Sequence, residues 1–208
     1  MKEILKELET KISQSKENNN NPLSVACIVS QCINDYFGGG FNPSNRFEMY
    51  GENETITLSD MKNKKLAMCA EKASVAQNCY AVMQEAGVEE RFNPKLVNSD
   101  LTTNRGRELH SFIILENVNE EKTSWLFDIM NPTKYIYNGE ERVGVAFYSI
   151  SPEQLKEFKQ GKSFKFKSIY EEFGYEVCKP DRYYGNGNVN KQSFDSPTNP
   201  SGPFSEGK

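Results

Sequence analysis

The sequence predicts an α+β fold in which helices come first and antiparallel strands follow. Apolar residues recur at helical spacing over 66–85, and two apolar runs at 109–115 and 124–130 have the composition of strands. A later pair of strand-like segments is separated by Asn138-Gly139, a dipeptide typical of tight hairpin turns. Helices that precede a set of antiparallel strands in the chain are typical of α+β domains.

Composition argues against several classes of function. The 208 residues fit one domain, and 25 Lys and Arg against 29 Asp and Glu give a net charge of −4. This balance argues against a nucleic-acid partner held by a basic surface. No apolar run approaches the roughly 20 residues that span a bilayer, and the charged N-terminus lacks the apolar core of a signal peptide. We therefore expect no membrane span, and a protein that is cytoplasmic or exported without a conventional signal peptide.

The chain divides into three zones by composition. Residues 1–21 combine an amphipathic helix with an Asn-rich polar lead, and 22–184 have the composition of a folded body. Residues 185–208 are rich in Gly, Asn, Ser and Pro, which predicts a disordered tail. The apolar residues of the first helix are Ile4, Leu5, Leu8 and Ile12.

Two helices are predicted at the start of the folded body. Residues 23–37 predict a buried helix that ends at the glycines 38–40, and 41–65 predict a loop with short elements. The strongest helical pattern, 66–85, has one apolar stripe and is followed by Gly87 as a stop signal. The stripe consists of Ala73, Ala76, Tyr80 and Met83.

Strands dominate the rest of the body. A polar loop is predicted between the helix at 66–85 and the strand at 109–115. After the strand at 124–130, the turn dipeptide predicts a second hairpin between 135–137 and 142–150. Ser151 as N-cap, followed by a proline and by Gln154, predicts the start of a short helix. The alternating residues 164–167 predict a last strand.

Cys69 lies in the first turns of the predicted helix at 66–85. A thiol at that place experiences the positive end of the helix dipole, which favours the thiolate. Three lysines just upstream act in the same direction: Lys62, Lys64 and Lys65. Because a thiolate is a competent nucleophile at neutral pH, Cys69 is the candidate nucleophile.

His110 opens one predicted strand, and Asp128 falls late in the next. A turn centred on Asn119 makes the numbers of opposed residues sum to 238, which places His110 directly opposite Asp128 and Phe112 opposite Leu126. A carboxylate at that place holds one ring nitrogen and leaves the other free to deprotonate a thiol. A slip of one residue would put the two side chains on opposite faces.

The other four cysteines are poor candidates for a nucleophile. Cys27, Cys32 and Cys79 lie in apolar helical segments, where packing is the expected role, and Cys178 lies close to the tail. An odd count at low density argues against a disulfide scaffold and fits a reducing compartment. With one histidine and no Cys-x-x-Cys pair, neither a metal site nor another cofactor is predicted.

Three segments carry a family resemblance: CAEKA at 69–73, LHSFIIL at 109–115 and WLFDIMNP at 125–132. A cysteine at a helix start, a histidine leading an apolar strand and an aspartate late in an aromatic-rich strand resemble the transglutaminase-like superfamily within the papain-like group. The resemblance covers about a third of the chain. It departs from the family pattern before the cysteine, where Lys-Lys-Leu-Ala-Met replaces a Gly-rich or aromatic lead-in, and at Ser111, where alanine is frequent.

The resemblance implies a papain-like or transglutaminase-like catalytic domain, with N-terminal helices and the nucleophile helix packed on an antiparallel sheet. It implies that Cys69 is the nucleophile, His110 the general base and acid, and Asp128 the orienting acid. The implied reaction starts from an amide and passes through a thioester. The Cys69 backbone N–H and a second donor would bind the oxyanion, and Asn63 and Gln31 are the candidates for that donor.

The leading hypothesis is therefore a cysteine-dependent amide hydrolase or acyltransferase, of the glutamine deamidase or transglutaminase type. Its partner would be a protein or peptide substrate that bears a glutamine amide. Two settings fit: an enzyme of the cell that makes it, or a bacterial effector that modifies a host protein. A papain-like cysteine protease and a non-catalytic interaction module of the same fold are the alternatives. The three residues Cys69, His110 and Asp128 are all present, which argues against a non-catalytic module.

Overall fold

The structure is a computed structural model. The residues that it describes are 2–14, 21–38, 60–62, 67–104, 106–178 and 182–185. Apart from a helical turn at 60–62, the loop predicted over 41–65 lies outside these ranges, and so do Asn63 and the tail beyond Gly185.

Three helices open the described chain: α1 (Lys2–Gln14), α2 (Pro22–Phe37) and α3 (Cys69–Glu85). Helix α2 starts where the Asn21 side chain accepts a hydrogen bond from the Leu23 N–H, and it ends at Gly38, whose φ is 76°. The apolar stripe of α1 is buried in the same core as α2 and α3 at Ile4, Leu8 and Ile12. The two helices predicted for the body are therefore both present.

Helix α3 begins at Cys69, so the predicted start at residue 66 is wrong. Met68 is the N-cap, with extended backbone at φ −94° and ψ −175°. Its N–H donates to the Glu71 carboxylate across 2.9 Å, which satisfies a backbone donor just ahead of the first turn. All four residues of the predicted stripe are buried. The predicted stop signal is confirmed as well, since Gly87 lies just beyond the end of the helix with a φ of 68°.

Within the described ranges, seven strands form one antiparallel sheet with two short helices between them, which confirms the α+β class. The sheet order is β5-β4-β3-β2-β1-β7, and β6 pairs with β3. The elements are β1 (Phe92–Thr103), β2 (Gly106–Asn117), β3 (Ser124–Tyr137), β4 (Glu140–Ile150), α4 (Pro152–Lys159), β5 (Lys167–Ser168), α5 (Ile169–Glu172), β6 (Glu176–Val177) and β7 (Tyr183–Tyr184).

Strand β1 occupies much of the segment predicted to be a polar loop, so that prediction is wrong. The strand pairs with β2 along its whole length. Two of its polar side chains have partners on the neighbouring strand: the Asn98 side chain accepts from the Ser111 hydroxyl, and Asp100 pairs with Arg107. Cross-strand pairing of this kind lets a polar sequence join a sheet.

The second hairpin has the predicted turn but a longer first strand. Asn138 and Gly139 have φ values of 51° and 79°, as the tight turn requires. Strand β3 runs from Ser124 to Tyr137, so the segment 135–137 is its continuation beyond an irregularity and not a separate strand. The helix predicted at Ser151 is present as α4, with both hydrogen bonds of its capping box.

The strand predicted at 164–167 is mostly absent. Phe164 makes an isolated bridge to Tyr184, and regular pairing with β4 begins only at Lys167. Strands β5 and β7 are the two ends of the sheet order, so the Phe164 bridge brings those ends together and the sheet curls.

Two apolar cores result from this curl. One lies between the sheet and the three long helices, and the other lies inside the curl, where it includes Phe112, Leu126 and Tyr184. In the described ranges, no helix combines the length and the apolar character needed to cross a membrane.

Candidate active site

Cys69 is the first residue of α3 and is partly exposed. The backbone N–H groups of a first helical turn have no partners within the helix, and they give this end a positive potential. Because α3 packs against β1, β2 and β3, its first residue lies beside the sheet. The thiol is therefore held where a nearby strand residue can reach it.

His110 on β2 and Asp128 on β3 are in direct contact. Nε2 of the imidazole lies 2.8 Å from Oδ2 of the carboxylate, and both side chains are buried. The predicted contact is present, although the predicted register is not.

The register of β2 against β3 differs from the prediction by two residues. Ile113 pairs with Phe127 and Leu115 with Trp125, so that opposed numbers sum to 240 and not to 238. The reason lies in the loop, where Asn117 and Asn119 each accept a backbone N–H and shift the turn towards the C-terminus. A shift of two residues keeps every side chain on its original face.

The sheet opens at the position of these two residues. The described pairing between β2 and β3 ends at Ile113 and Phe127, and the pairing of β3 with β4 is irregular between Asp128 and Thr133. Oδ1 of Asp128 accepts the N–H groups of Met130 and Asn131, at 3.0 and 3.3 Å, which turns the strand just after the carboxylate. Asp128 thus organises its own backbone as well as the imidazole.

Two further side chains donate to the Asp128 carboxylate, and the sequence interpretation missed both. The Asn131 amide and the Tyr184 hydroxyl each lie 3.0 Å from Oδ2. The Asn131 amide nitrogen also lies 3.1 Å from Nε2 of His110, but we assign its hydrogen bond to the carboxylate because Nε2 donates to the same oxygen. Asn131 belongs to the motif at 125–132, whereas Tyr184 stands at the edge of a tail-like segment that carries no local signal.

These contacts make an ion pair of His110 and Asp128. Burial by itself raises the pKa of the Asp128 carboxyl, but the His110 charge and the hydrogen bonds from His110, Asn131 and Tyr184 lower it below its ordinary value. Burial likewise lowers the pKa of His110, yet the Asp128 charge, the hydrogen bond to it and the contact with Cys69 raise that pKa to about 10. The imidazolium is therefore the stable form at neutral pH.

The thiol of Cys69 interacts with this imidazolium. Burial raises the pKa of Cys69, but interactions with the His110 ring and its charge, and with Ser111, bring that pKa below its ordinary value. Because Nε2 is engaged by Asp128, Nδ1 is the ring nitrogen that remains for the sulfur. The imidazolium therefore favours the thiolate form of Cys69.

The other cysteines lack such an environment. Burial raises the pKa of Cys27 and of Cys32, and it raises the pKa of Cys79 to about 12. Among the cysteines whose thiol pKa is shifted, Cys69 alone is shifted towards the thiolate. That Cys69 is the reactive thiol stays a prediction.

Gln31 lies on α2 at the wall of a cavity of about 500 Å³, which Asp128 also lines. Cys69 and His110 are not among the residues that line this cavity. Asn63 lies outside the described residues. The second oxyanion donor therefore stays a prediction for both Gln31 and Asn63.

Comparisons of the chain with protein-family models, with curated proteins and with solved structures gave no match. Function must therefore be inferred from the side chains themselves. Of the five predicted site residues, the structure brings His110 and Asp128 into direct contact and adds Asn131 and Tyr184 to them, and His110 lowers the pKa of the Cys69 thiol.

Proposed function

We propose that this protein is a cysteine-dependent amide hydrolase or acyltransferase in which Cys69 is the nucleophile. The observation that carries the proposal is the buried pair of His110 and Asp128, whose Nε2 and Oδ2 lie 2.8 Å apart, next to a thiol at the start of α3 whose pKa this ring lowers. A buried carboxylate that orients an imidazole beside a thiol is the arrangement that nucleophilic acyl transfer requires.

The proposed reaction begins with the thiolate of Cys69 and a protonated His110. The sulfur attacks the amide carbonyl carbon, a C–S bond forms and the carbonyl oxygen becomes an oxyanion. When the C–N bond breaks, the nitrogen leaves as ammonia or an amine with the proton that His110 gives up. The neutral imidazole then takes a proton from water or an acceptor amine, which attacks the thioester and releases the thiolate.

The positions of Cys69 and Asp128 support this sequence of steps. The Cys69 N–H belongs to the first turn of α3, where it has no acceptor within the helix and can donate to the oxyanion. Asp128 keeps its charge next to the imidazolium, because its pKa is lowered below the ordinary value by His110 and by its other donors, in spite of burial. It therefore stabilises the protonated ring without accepting its proton.

The order of elements supports the finer fold proposal, a papain-like or transglutaminase-like domain. The nucleophile begins a helix that packs on an antiparallel sheet, and the histidine and the aspartate come from two successive strands of that sheet. We propose a glutamine amide on a protein or peptide as the substrate, either in the producing cell or, for an effector, in a host cell.

The proposal is tested by comparing Cys69→Ala with the wild type on peptides that contain glutamine, with and without an amine acceptor. Cys178→Ser is the matched control because it removes another partly exposed thiol. Loss of ammonia release and of the product mass change in Cys69→Ala alone is the expected result. Equal turnover by both variants would contradict the proposal.

The same assay identifies one alternative, and alkylation of Cys69 identifies the other. Cleavage of the peptide into two fragments without ammonia release would identify a papain-like protease, because the leaving group is then a peptide amine. A Cys69 that reacts with iodoacetamide no faster than an ordinary thiol would favour the non-catalytic module.

A further inference from the structure

A cavity of about 500 Å³ lies between α2 and the irregular part of β3 and β4. Its polar wall comes from α2, with Ser30, Gln31 and Asn34, and its apolar wall includes Ile129 and Val145. The cavity reaches the proposed active site through two residues: Asp128, and Lys72 of the nucleophile helix.

Lys72 is buried in the wall of this cavity with only 4% of its surface exposed. Its ammonium donates one hydrogen bond, 3.3 Å long, to the side-chain oxygen of Asn34. The described residues provide no ion pair for it. The two carboxylates of the wall have other partners: Asp35 pairs with Lys11 across 3.1 Å, and Asp128 pairs with His110 across 2.8 Å. A buried ammonium with one neutral acceptor is costly, because its lost hydration is not replaced.

We propose that the cavity binds a carboxylate group of the substrate and that the Lys72 ammonium is its counter-charge. The proposal rests on the proposed function, because it assigns a binding role beside the Cys69 nucleophile. The two residues are three apart on α3, a spacing that puts side chains on one face about 5–6 Å apart at their Cβ atoms. An anion held by Lys72 therefore lies within the length of a small substrate from the sulfur.

The neutral groups of the wall fit this ligand. Ser30 and Gln31 offer a hydroxyl donor and an amide donor to a carboxylate without adding charge, while the Asn34 amide nitrogen donates to the Ser30 hydroxyl across 3.3 Å. A carboxylate would complete the hydrogen bonding of the ammonium, which has three donors and one described acceptor. Burial alone lowers the pKa of Lys72, in keeping with the missing counter-charge.

The test compares two alkylating reagents that differ in charge. Rates of Cys69 modification by iodoacetate, which carries a carboxylate, and by iodoacetamide, which is neutral, are measured by peptide mass spectrometry. We expect Lys72→Met to lower the ratio of the two rates by about tenfold, since the attraction of a nearby charge is lost. Lys62→Met is the control: it removes a lysine that pairs with Glu3 outside the cavity, and it should leave the ratio within about twofold.

The outcomes separate the two proposals. Fast and selective alkylation of Cys69 with an unchanged ratio in Lys72→Met would overturn the carboxylate site and leave the proposed function intact. Slow, unselective alkylation by both reagents in the wild type would overturn the proposed function instead. Thermal unfolding adds a second readout. Removal of an uncompensated buried charge should raise the Tm of Lys72→Met, and a lower Tm would overturn the proposal.

Protection experiments identify the source of the carboxylate. Cys69 is alkylated with iodoacetamide in the presence of glutarate, of neutral glutaramide, or of a short peptide with glutamate beside glutamine. Protection by glutarate but not by glutaramide supports a free small acid, and protection by the peptide alone supports an acidic protein substrate. Equal protection by glutarate and glutaramide, or no protection by any probe, would overturn the site.

Discussion

The hydroxyl of Tyr184 donates a hydrogen bond to Oδ2 of Asp128 across 3.0 Å. The two residues are 56 positions apart in the chain, and both are almost fully buried. Tyr184 belongs to β7 at one end of the sheet order, whereas Asp128 lies where β3 loses its regular pairing. The last described strand thus takes part in holding the carboxylate that orients His110.

We expect Tyr184→Phe to destabilise the protein and to make the thiolate form of Cys69 less stable. The change keeps the ring but removes one donor to a buried charge, and the loss should be about 1–3 kcal/mol in the free energy of unfolding, measured in urea. The pKa of Asp128 should rise, and Cys69 alkylation at neutral pH should slow. Tyr183→Phe is the matched control, because the neighbouring ring is exposed. Equal losses of stability and of alkylation rate in both variants would argue against a specific role of the hydrogen bond from Tyr184 to Asp128.

Asp128→Asn removes the charge of Asp128 but nearly keeps its shape, so it tests the role of the charge. Without the carboxylate, the pKa of His110 should fall towards its ordinary value and the pKa of Cys69 should rise. Turnover on the glutamine peptides should drop by about 10²–10⁴-fold, as expected when a general base loses its orienting carboxylate. Stability should fall by about 3 kcal/mol, the lower end for a broken buried ion pair, because His110 can lose its proton. Wild-type turnover in a folded variant would exclude Asp128 from the mechanism.

Alkylation of Cys69 should follow two steps in pH. The first rise should come below the ordinary thiol pKa of about 8.5, because the imidazolium stabilises the thiolate. A second rise should come near pH 10, the pKa of His110, when the ring loses its proton and the unpaired thiolate becomes more nucleophilic. His110→Gln should show one step at or above about 8.5. A single wild-type step in that same range would contradict the ion pair.

Arg182→Met should loosen the backbone that follows Asp128. The guanidinium donates to the carbonyl oxygens of Asn131 and Pro132, at 2.9 and 3.3–3.4 Å, and to the Tyr148 hydroxyl at 3.3 Å. Loss of these charged donors should cost about 1–3 kcal/mol in chemical unfolding and should reduce turnover. Arg142→Met is the control, since Arg142 pairs only with the exposed Glu140 among the described contacts. If the two variants unfold alike, Arg182 has no positioning role.

Local signals account for much of the fold. Asn138-Gly139 and the Ser151 capping box depend on neighbouring residues alone, and the structure has both where the sequence predicts them. The contact of His110 with Asp128 was also predictable, because alternation fixes the face of each residue even when the register is wrong by two.

Features that depend on distant partners were not predictable. Strand β1 has a polar sequence that becomes a strand through its neighbour, as the Asp100 pair with Arg107 illustrates. The register depends on side-chain hydrogen bonds of Asn117 and Asn119 within the loop. Tyr184 reaches Asp128 only because the sheet curls, and no short segment of sequence records that curl.

The curl of the sheet has a consequence for a ribosome-bound chain. Cys69 is translated more than a hundred residues before Tyr184, so the thiol emerges long before the strand whose hydroxyl helps to fix Asp128. Until Phe164 and Tyr184 have bridged, the carboxylate lacks that donor and the imidazole lacks its full orientation. The proposed nucleophile therefore acquires the complete set of contacts around His110 and Asp128 only late in biosynthesis.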